Sequence, residues 1–312
     1  MKRRELIGAL SGAAFLWSPS SFAQQPKKIH RIGVLWHGAN VEEEAIYLAA
    51  LRKGLLDVGY VEGQNIALEM RFPAEEYERF FVLAAELARQ KLDVLVSAAG
   101  IAAIACHRAT TTIPIVAVNV PDPLGRKLVA SLSRPGGNLT GLSNMAVELT
   151  RKRLELAKET INDLSRVALL VNTSDEIGSR AYIAEAEAAG PQLGIAVVPV
   201  GVRGAGDLEG AISKMSTDNV QAIIVTHDGL FYVQRQRLAD LALERRLPSI
   251  GFASEQWEAG LLATYGPEGA ELVSARRRVH RQNPQRRKPR RSSGRATHGL
   301  RAFDQPQERQ GP

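Results

Sequence analysis

Two rhythms of apolar positions alternate along the chain from His30 to Phe252. Short β-branched runs such as "HRIGVLWHG" (30–38), "QNIALEMRFP", "LDVLVSAAG" and "IPIVAVNVPDP" read as strands. Between them, "VEEEAIYLAALRKGLLDVG" (41–59), "YERFFVLAAELARQ" and "IAAIACHRAT" carry apolar residues at helical spacing. The pattern then starts again. "RKRLELAKETI", "SRAYIAEAEAAGPQLG", "LEGAISKMST" and "YVQRQRLADLALERR" read as helices, alternating with the strands "RVALLVNTSD", "IAVVPVGV", "VQAIIVTHDG" and "LPSIGF". Strands that alternate with helices of this length form parallel sheets covered on both faces. The chain is therefore expected to be α/β, with two doubly wound parallel-sheet lobes in tandem.

The stretch "SRPGGNLTGLS" (133–143) separates the two halves and reads as a linker or as a crossover carrying a short strand. The expected boundaries are a first lobe at 24–142, a second lobe at 143–250 and a return to the first lobe at 251–274.

Ligands of open parallel sheets bind beyond the carboxyl ends of the strands. That rule selects the loops beginning at Trp36, Ser97, Asn119, Asn172 and Thr226. Several hold small or hydrogen-bonding residues just before a helix start, where free backbone N–H groups suit carboxylate or phosphate. Ser174 and Asp175 read equally as helix N-caps or as binding residues. Trp36, Phe231 and Tyr232 could sandwich an apolar ligand or fill the core. Asp228 beside His227 could be an acid–base pair or could hold a ligand amine.

Motifs of catalysis are missing from the sequence: no Walker loop, no H-E-x-x-H and no G-x-S-x-G occurs. His37, His107 and His227 have no metal-ligand spacing, so no metal and no cofactor is expected. Cys106, the single cysteine, falls in the apolar run "AAIACHRA" and reads as a small buried side chain. A binding pocket without chemistry fits these residues better than an enzyme.

The formal net charge is +7, which would suggest a polyanionic partner if it were spread evenly. It is not. Residues 275–312 hold 12 Lys and Arg against Asp304 and Glu308, a charge of +10, so residues 1–274 carry −3. At the other end, Lys2, Arg3 and Arg4 precede an apolar run from Leu6 to Trp17, and Ser21 and Ala23 supply the small residues of a cleavage site. The reading is a signal peptide at 1–23, cleaved after Ala23, with Sec and Tat export both open.

Several stretches resemble one family. They are "MKRRELIGALSGAA", "RIGVL", "LRKGLLDVGYVEGQNIALEMRF", "IPIVAVNVPDPLGRKLVASLSRPGGNLTGLS" and "RRLPSIGFASEQWEAGLLATYGPEGAEL". They resemble the solute-binding proteins of ABC transporters with a type I periplasmic-binding-protein fold, in the tryptophan- and tyrosine-binding-like group. The run "DPLGRKLVASLSRPGGNLTGLS" is the most specific, and coverage extends to about residue 272.

The resemblance implies a hinged, two-lobed periplasmic receptor, a monomer, that closes over a small molecule such as an amino acid and delivers it to a membrane permease. It implies no enzymatic activity and no nucleic-acid partner. His37, Ser97, Gly100, Asn119, Asp122, Asn172, Thr173 and Asp228 are carried over as ligand contacts. The family often has Thr-Pro where this chain has Ala99-Gly100-Ile101. The alternatives are a ligand-sensing module of a signalling system and an enzyme on a doubly wound fold. A DNA-binding regulator should carry an N-terminal helix-turn-helix, where this sequence shows an export leader, and a membrane sensor should carry a later membrane-spanning run, which this sequence does not show.

The match stops near Glu271, where the family normally continues. Read one nucleotide out of frame, the codons of 280–298 permit a stretch close to the family's usual ending. The basic tail at 275–312 therefore reads as a frameshifted, disordered segment, against the alternative of an authentic tail that binds anionic lipid or nucleic acid. Loss of the family's ending predicts an unpaired edge on the first lobe.

Overall fold

The computed structural model describes residues 29–267 and the segment 301–303. The expected signal peptide lies outside these residues, as does the tail apart from 301–303. In the first half, β1 (His30–Leu35), α1 (Ala45–Asp57), β2 (Ile66–Arg71), α2 (Tyr77–Ala88), β3 (Val94–Ala98), α3 (Gly100–Ala109), β4 (Ile115–Val120) and β5 (Leu139–Ser143) follow one another. Their strands lie in the order β5-β4-β3-β1-β2, all parallel.

The second half contains α4 (Thr150–Thr160), β6 (Arg166–Asn172), α5 (Glu176–Ala189), β7 (Ala196–Val202), α6 (Leu208–Thr217), β8 (Ala222–Val225), α7 (Gly229–Val233), α8 (Arg235–Glu244), β9 (Ser249–Gly251), α9 (Ser254–Glu258) and β10 (Ala263–Thr264). Its sheet runs β10-β9-β8-β6-β7, also parallel. Both lobes thus share one winding. In each, the strand order reverses beside the first strand, between β1 and β3 and between β6 and β8. The crevice at such a reversal is where doubly wound sheets bind ligands.

The helices form where the apolar spacing predicts, with informative exceptions at their ends. The helix expected from residue 41 begins at Ala45 because the acidic run before it is used elsewhere. Glu43 Oε2 accepts from the Ala39 N–H at 2.8 Å, and Glu44 Oε1 accepts from Gly38 N–H at 2.7 Å and His37 N–H at 3.1 Å. The single helix expected over 232–246 is two, α7 and α8, broken at Gln234. "SRPGGNLTGLS" ends in a strand of the first sheet, β5.

The expected return to the first lobe at 251–274 does not begin in the described part of that stretch. Ala263 and Thr264 pair with Ile250 and Gly251, which keeps them in the second sheet. Gln256 anchors the segment by accepting from the Phe252 and Ala253 N–H groups at 2.8 and 3.2 Å.

Nor is the outer edge of β5 bare. The backbone of β11 (Arg301–Phe303) pairs with it antiparallel, Arg301 opposite Ser143 and Phe303 opposite Gly141. A strand ladder is made by main-chain N–H and C=O groups, so it places little demand on which side chains the added segment carries.

Three apolar clusters hold the layers. One packs α2 and α3 on the first sheet around Phe80, Leu87, Leu95 and Ile115. Another packs α4 and α5 on the second sheet around Leu154, Leu169, Tyr182 and Ile224. The third runs through both lobes, from Trp36 and Tyr47 to Phe231 and Tyr232. Cys106 is fully buried in the first of these, and burial pushes its thiol up to about 12, as suits a packing residue.

Gly141 marks the tightest approach in the sheet. A Cβ there would lie 1.7 Å from the carbonyl oxygen of Ala117 on β4. Gly141→Ala is expected to force β4 and β5 apart and to cost about 3 kcal/mol, read as a lowered denaturation midpoint with an unchanged slope.

Candidate functional site

A cavity opens between the lobes at both strand reversals. Its first-lobe wall is built by strained loops. After β2, Ala74 and Glu75 both adopt left-handed backbone, with φ of 58° and 57°. Their N–H groups donate to Gly38 and His37 carbonyls at 2.9 Å each, which docks this loop on the one after β1. Ala99 (φ 125°) follows β3, Asn119 (φ 60°) lies within the end of β4 where its pairing with β5 is irregular, and Asp122 (φ 44°) lies in the loop after β4. Non-glycine residues in this region are costly, and they persist where the surrounding structure holds a functional geometry.

His37 sits at the bottom of this wall. Its Nδ1 lies 3.0 Å from Glu75 Oε1 and 3.3 Å from Glu44 Oε1, without a well-aligned hydrogen bond to either. Burial alone would lower the imidazole pKa. The Glu44 and Glu75 carboxylates, helped by Asp228, outweigh it and hold the ring protonated, up to about 9.

The second-lobe wall comes from the ends of β6 and β8. Asn172 donates through Nδ2 to Asp228 Oδ1 at 3.0 Å, and Asp228 Oδ1 also accepts from the Leu230 N–H at the start of α7. Burial, then the nearby Glu75, pushes the Asp228 carboxyl up to about 7. His227 behaves oppositely to His37. Its ring packs tilted against Phe252 with centroids 4.4 Å apart, and burial followed by the repulsion of Arg153 lowers it to about 3, so it is neutral.

Two of the contacts across the cavity, one ionic and one aromatic, bind the lobes to each other most directly. Arg126, 1% exposed, reaches from the loop after β4 to Asp175, the N-cap of α5. The pairing is bidentate: Nη1 donates to Oδ1 at 2.9 Å and Nη2 donates to Oδ2. Nε donates to the Pro121 carbonyl at 2.8 Å. A Cβ on Gly178 would fall 2.4 Å from Arg126 Nη2, so only glycine lets the guanidinium in. The second contact is aromatic, with Tyr47 and Tyr232 rings 5.4 Å apart.

Five of the eight sequence-selected residues line the cavity: His37, Gly100, Asn119, Asn172 and Asp228. Three do not. Ser97 is fully buried within β3. Asp122 accepts from Gly125 N–H at 2.8 Å and so closes its own turn. Thr173 donates to the Val202 carbonyl at 3.1 Å, on the exposed side of its loop. Of the aromatic candidates, Trp36 and Phe231 are core residues and Tyr232 is in the wall.

The sequence reading missed Tyr47, Glu75 and Arg126. Arg126 lies inside the run "DPLGRKLVASLSRPGGNLTGLS" and could have been found there. Glu75 has no sequence signature, because its placement depends on a left-handed turn without glycine.

A family model described as ABC transporter substrate binding protein matches residues 39–278. The chain belongs to that family. Its members bind solutes rather than transform them. It is 27% identical over 221 residues to a tyrosine-binding protein of Clostridioides difficile, an alignment covering 70% of this chain and 63% of that relative. The chain thus spans less than two thirds of that relative's length.

Among solved structures, it superposes on a conserved domain protein from Vibrio cholerae with a TM-score of 0.73 at 25% identity, covering 79% of this chain and 82% of that one. It superposes equally, at 0.73 and 23% identity, on an ABC domain from Streptococcus pneumonia in complex with L-Trp, covering 80% and 82%. These likenesses establish the type I periplasmic-binding-protein fold. Among the described residues no helix is long and apolar enough to cross a membrane, and no group of three or more His, Cys, Asp or Glu is arranged to hold a metal.

Arg126→Ala leaves Asp175 in the cleft without its partner. Loss of about 3–5 kcal/mol in stability is expected, with a larger radius of gyration in X-ray scattering as the lobes part. An unchanged radius would show that the pair does not tie the lobes.

The two histidines give opposite pH responses. His37, raised in the folded state, contributes stability that is complete below 6.5 and is lost as pH rises through about 9. His227, lowered in the folded state, makes stability fall as pH drops below 6.5, because the unfolded chain takes up a proton that the folded chain refuses. His227→Gln is expected to flatten the acid limb of a urea-denaturation series without changing the alkaline limb.

Proposed function

We propose that the chain is the periplasmic receptor of an ABC import system and that it closes on an amino acid with an aromatic side chain. The observation that carries this reading is the composition of the cavity wall. Acidic groups and carboxamides sit at its strand ends, and Tyr47, Tyr77, Phe80, Tyr232 and Phe252 surround them. A ring between aromatic faces gains both area burial and quadrupole contacts. Asp228, already fixed by Asn172 and the start of α7, suits the ligand's ammonium.

The ligand's carboxylate suits the opening turn of α3, a ten-residue helix whose N-terminus has no side-chain cap. Gly100 and Ile101, which begin that helix, face the cavity. Uncapped N–H groups and the helix dipole favour an anion there. The tyrosine-binding relative and the L-Trp complex support the same ligand class. A membrane permease is the partner this role requires. Export is supported by the leader pattern of residues 1–23, and the receptor is taken to work as a monomer.

A thermal-shift screen of the mature chain, beginning at Gln24, against the proteinogenic amino acids tests the reading. Tyrosine, tryptophan or phenylalanine should raise the melting point most. The stabilisation should reach about 2.7 kcal/mol at a hundredfold excess over Kd. Asn172→Ala, which frees Asp228 from its positioning bond, should weaken binding about tenfold at little cost in stability. A response to sugars or to inorganic anions with none to aromatic amino acids would defeat the reading.

A further inference from the structure

Two carboxylates line the cavity, one from each lobe, and each lies within the other's electrostatic reach. Glu75 projects from the loop after β2, and Asp228 stands at the end of β8. The Glu75 side chain is only 9% exposed, and its Oε1 has no aligned hydrogen-bond donor. It lies against the residue next to Asp228, since a Cβ on Gly229 would fall 2.1 Å from Glu75 Oε1. Among the described residues both donors to Asp228 fall on Oδ1, and Asp228 lines the cleft.

The charges around them do not balance. His37 stands between Glu44 and Glu75 and can offset one of them, with Glu43 close by. Arg126 is matched by Asp175. Among the described residues Asp228 has no ion-pair partner of its own, and the cations whose field it shares, His37 and Arg126, are already engaged by other carboxylates.

We infer that Glu75 and Asp228 form a split ammonium site, and that the lobes close fully only when a cation, the ligand's primary ammonium, lies between them. This rests on the reading of the cleft as an amino-acid pocket. It makes Glu75 the first-lobe determinant of selectivity for amines over deaminated compounds of the same shape.

The physical reason is that two carboxylates brought together away from water cannot both stay ionised. In the open receptor each is hydrated. On closure without ligand one must take a proton. The direction of both groups agrees: burial raises Glu75 against the pull of His37, and burial and Glu75 together raise Asp228 to about 7. A proton is therefore the substitute for the ammonium. The closed empty form gains a proton relative to the open form, so acidification favours closure and the effect is lost above about pH 7.

Calorimetry with L-tyrosine and with 3-(4-hydroxyphenyl)propanoate, which differs by the missing ammonium, tests the selectivity. The wild type should prefer L-tyrosine by about 100-fold or more. Glu75→Gln should reduce that preference at least tenfold, chiefly by weakening L-tyrosine. Asp228→Asn should do the same, and it serves if the Glu75 variant does not fold.

X-ray scattering of the empty receptor supplies a ligand-free readout. The wild type should become more compact as pH falls from about 8 to about 5, whereas Glu75→Gln should be compact throughout. Full preference retained in both variants, or an empty wild type indifferent to pH, would overturn the inference. If no aromatic amino acid binds at all, the amino-acid reading falls, and the pH response of the empty receptor still decides whether the two carboxylates are coupled.

Discussion

The lobes are held in register by a guanidinium that cannot be left unmatched. Arg126 is taken almost wholly out of water, and the desolvation of its charge is offset by a bidentate carboxylate from the other lobe and by the Pro121 carbonyl. Asp175 is pinned in turn, since its Oδ1 also accepts from the Gly178 N–H at the start of α5. The pair therefore connects two rigid elements rather than two flexible side chains. Surface ion pairs contribute little, but this one sits in the cleft and fixes how closely the walls approach. The Tyr47–Tyr232 contact and the placement of Glu75 against Gly229 both depend on that approach.

Winding explains why the chemistry collects where it does. Each sheet reverses its strand order beside its first strand, so neighbouring helices diverge to opposite faces and leave a gap at the strand ends. The two gaps face each other. Into the first, positive-φ backbone at Glu75, Ala99 and Asn119 turns side chains that regular backbone would direct elsewhere. Into the second come Asn172 and Asp228, tied to each other. Unlike environments then separate the titratable groups. His37 gains charge from the carboxylates beside it, whereas His227, buried against Phe252 and close to Arg153, loses it.

The strands and helices were legible because each must hide an apolar face, and the period of that face is written residue by residue. The strand-end rule then picked out His37, Gly100, Asn119, Asn172 and Asp228 without any knowledge of the third dimension. The rule fails for Ser97, Asp122 and Thr173 for a common reason. A strand-end residue can point into the sheet, bond its own turn or face outward, and one-dimensional spacing does not distinguish these. Glu75 was invisible for the converse reason, because a glutamate in a left-handed turn looks like any exposed glutamate until the turn is seen.

Sequence alone determined the α/β class, the duplication of the winding, most of the loops that line the cavity and the concentration of positive charge at the chain's end. These follow from local periodicity and composition, which need no partner in space. Tertiary structure decided that Arg126 meets Asp175, that Glu75 lies against Gly229 of the other lobe, that residues 263–264 stay with the second sheet and that the edge of β5 is paired. Each of those joins groups distant along the chain through desolvated charge or main-chain pairing, and such energies exist only once folding has brought the groups together.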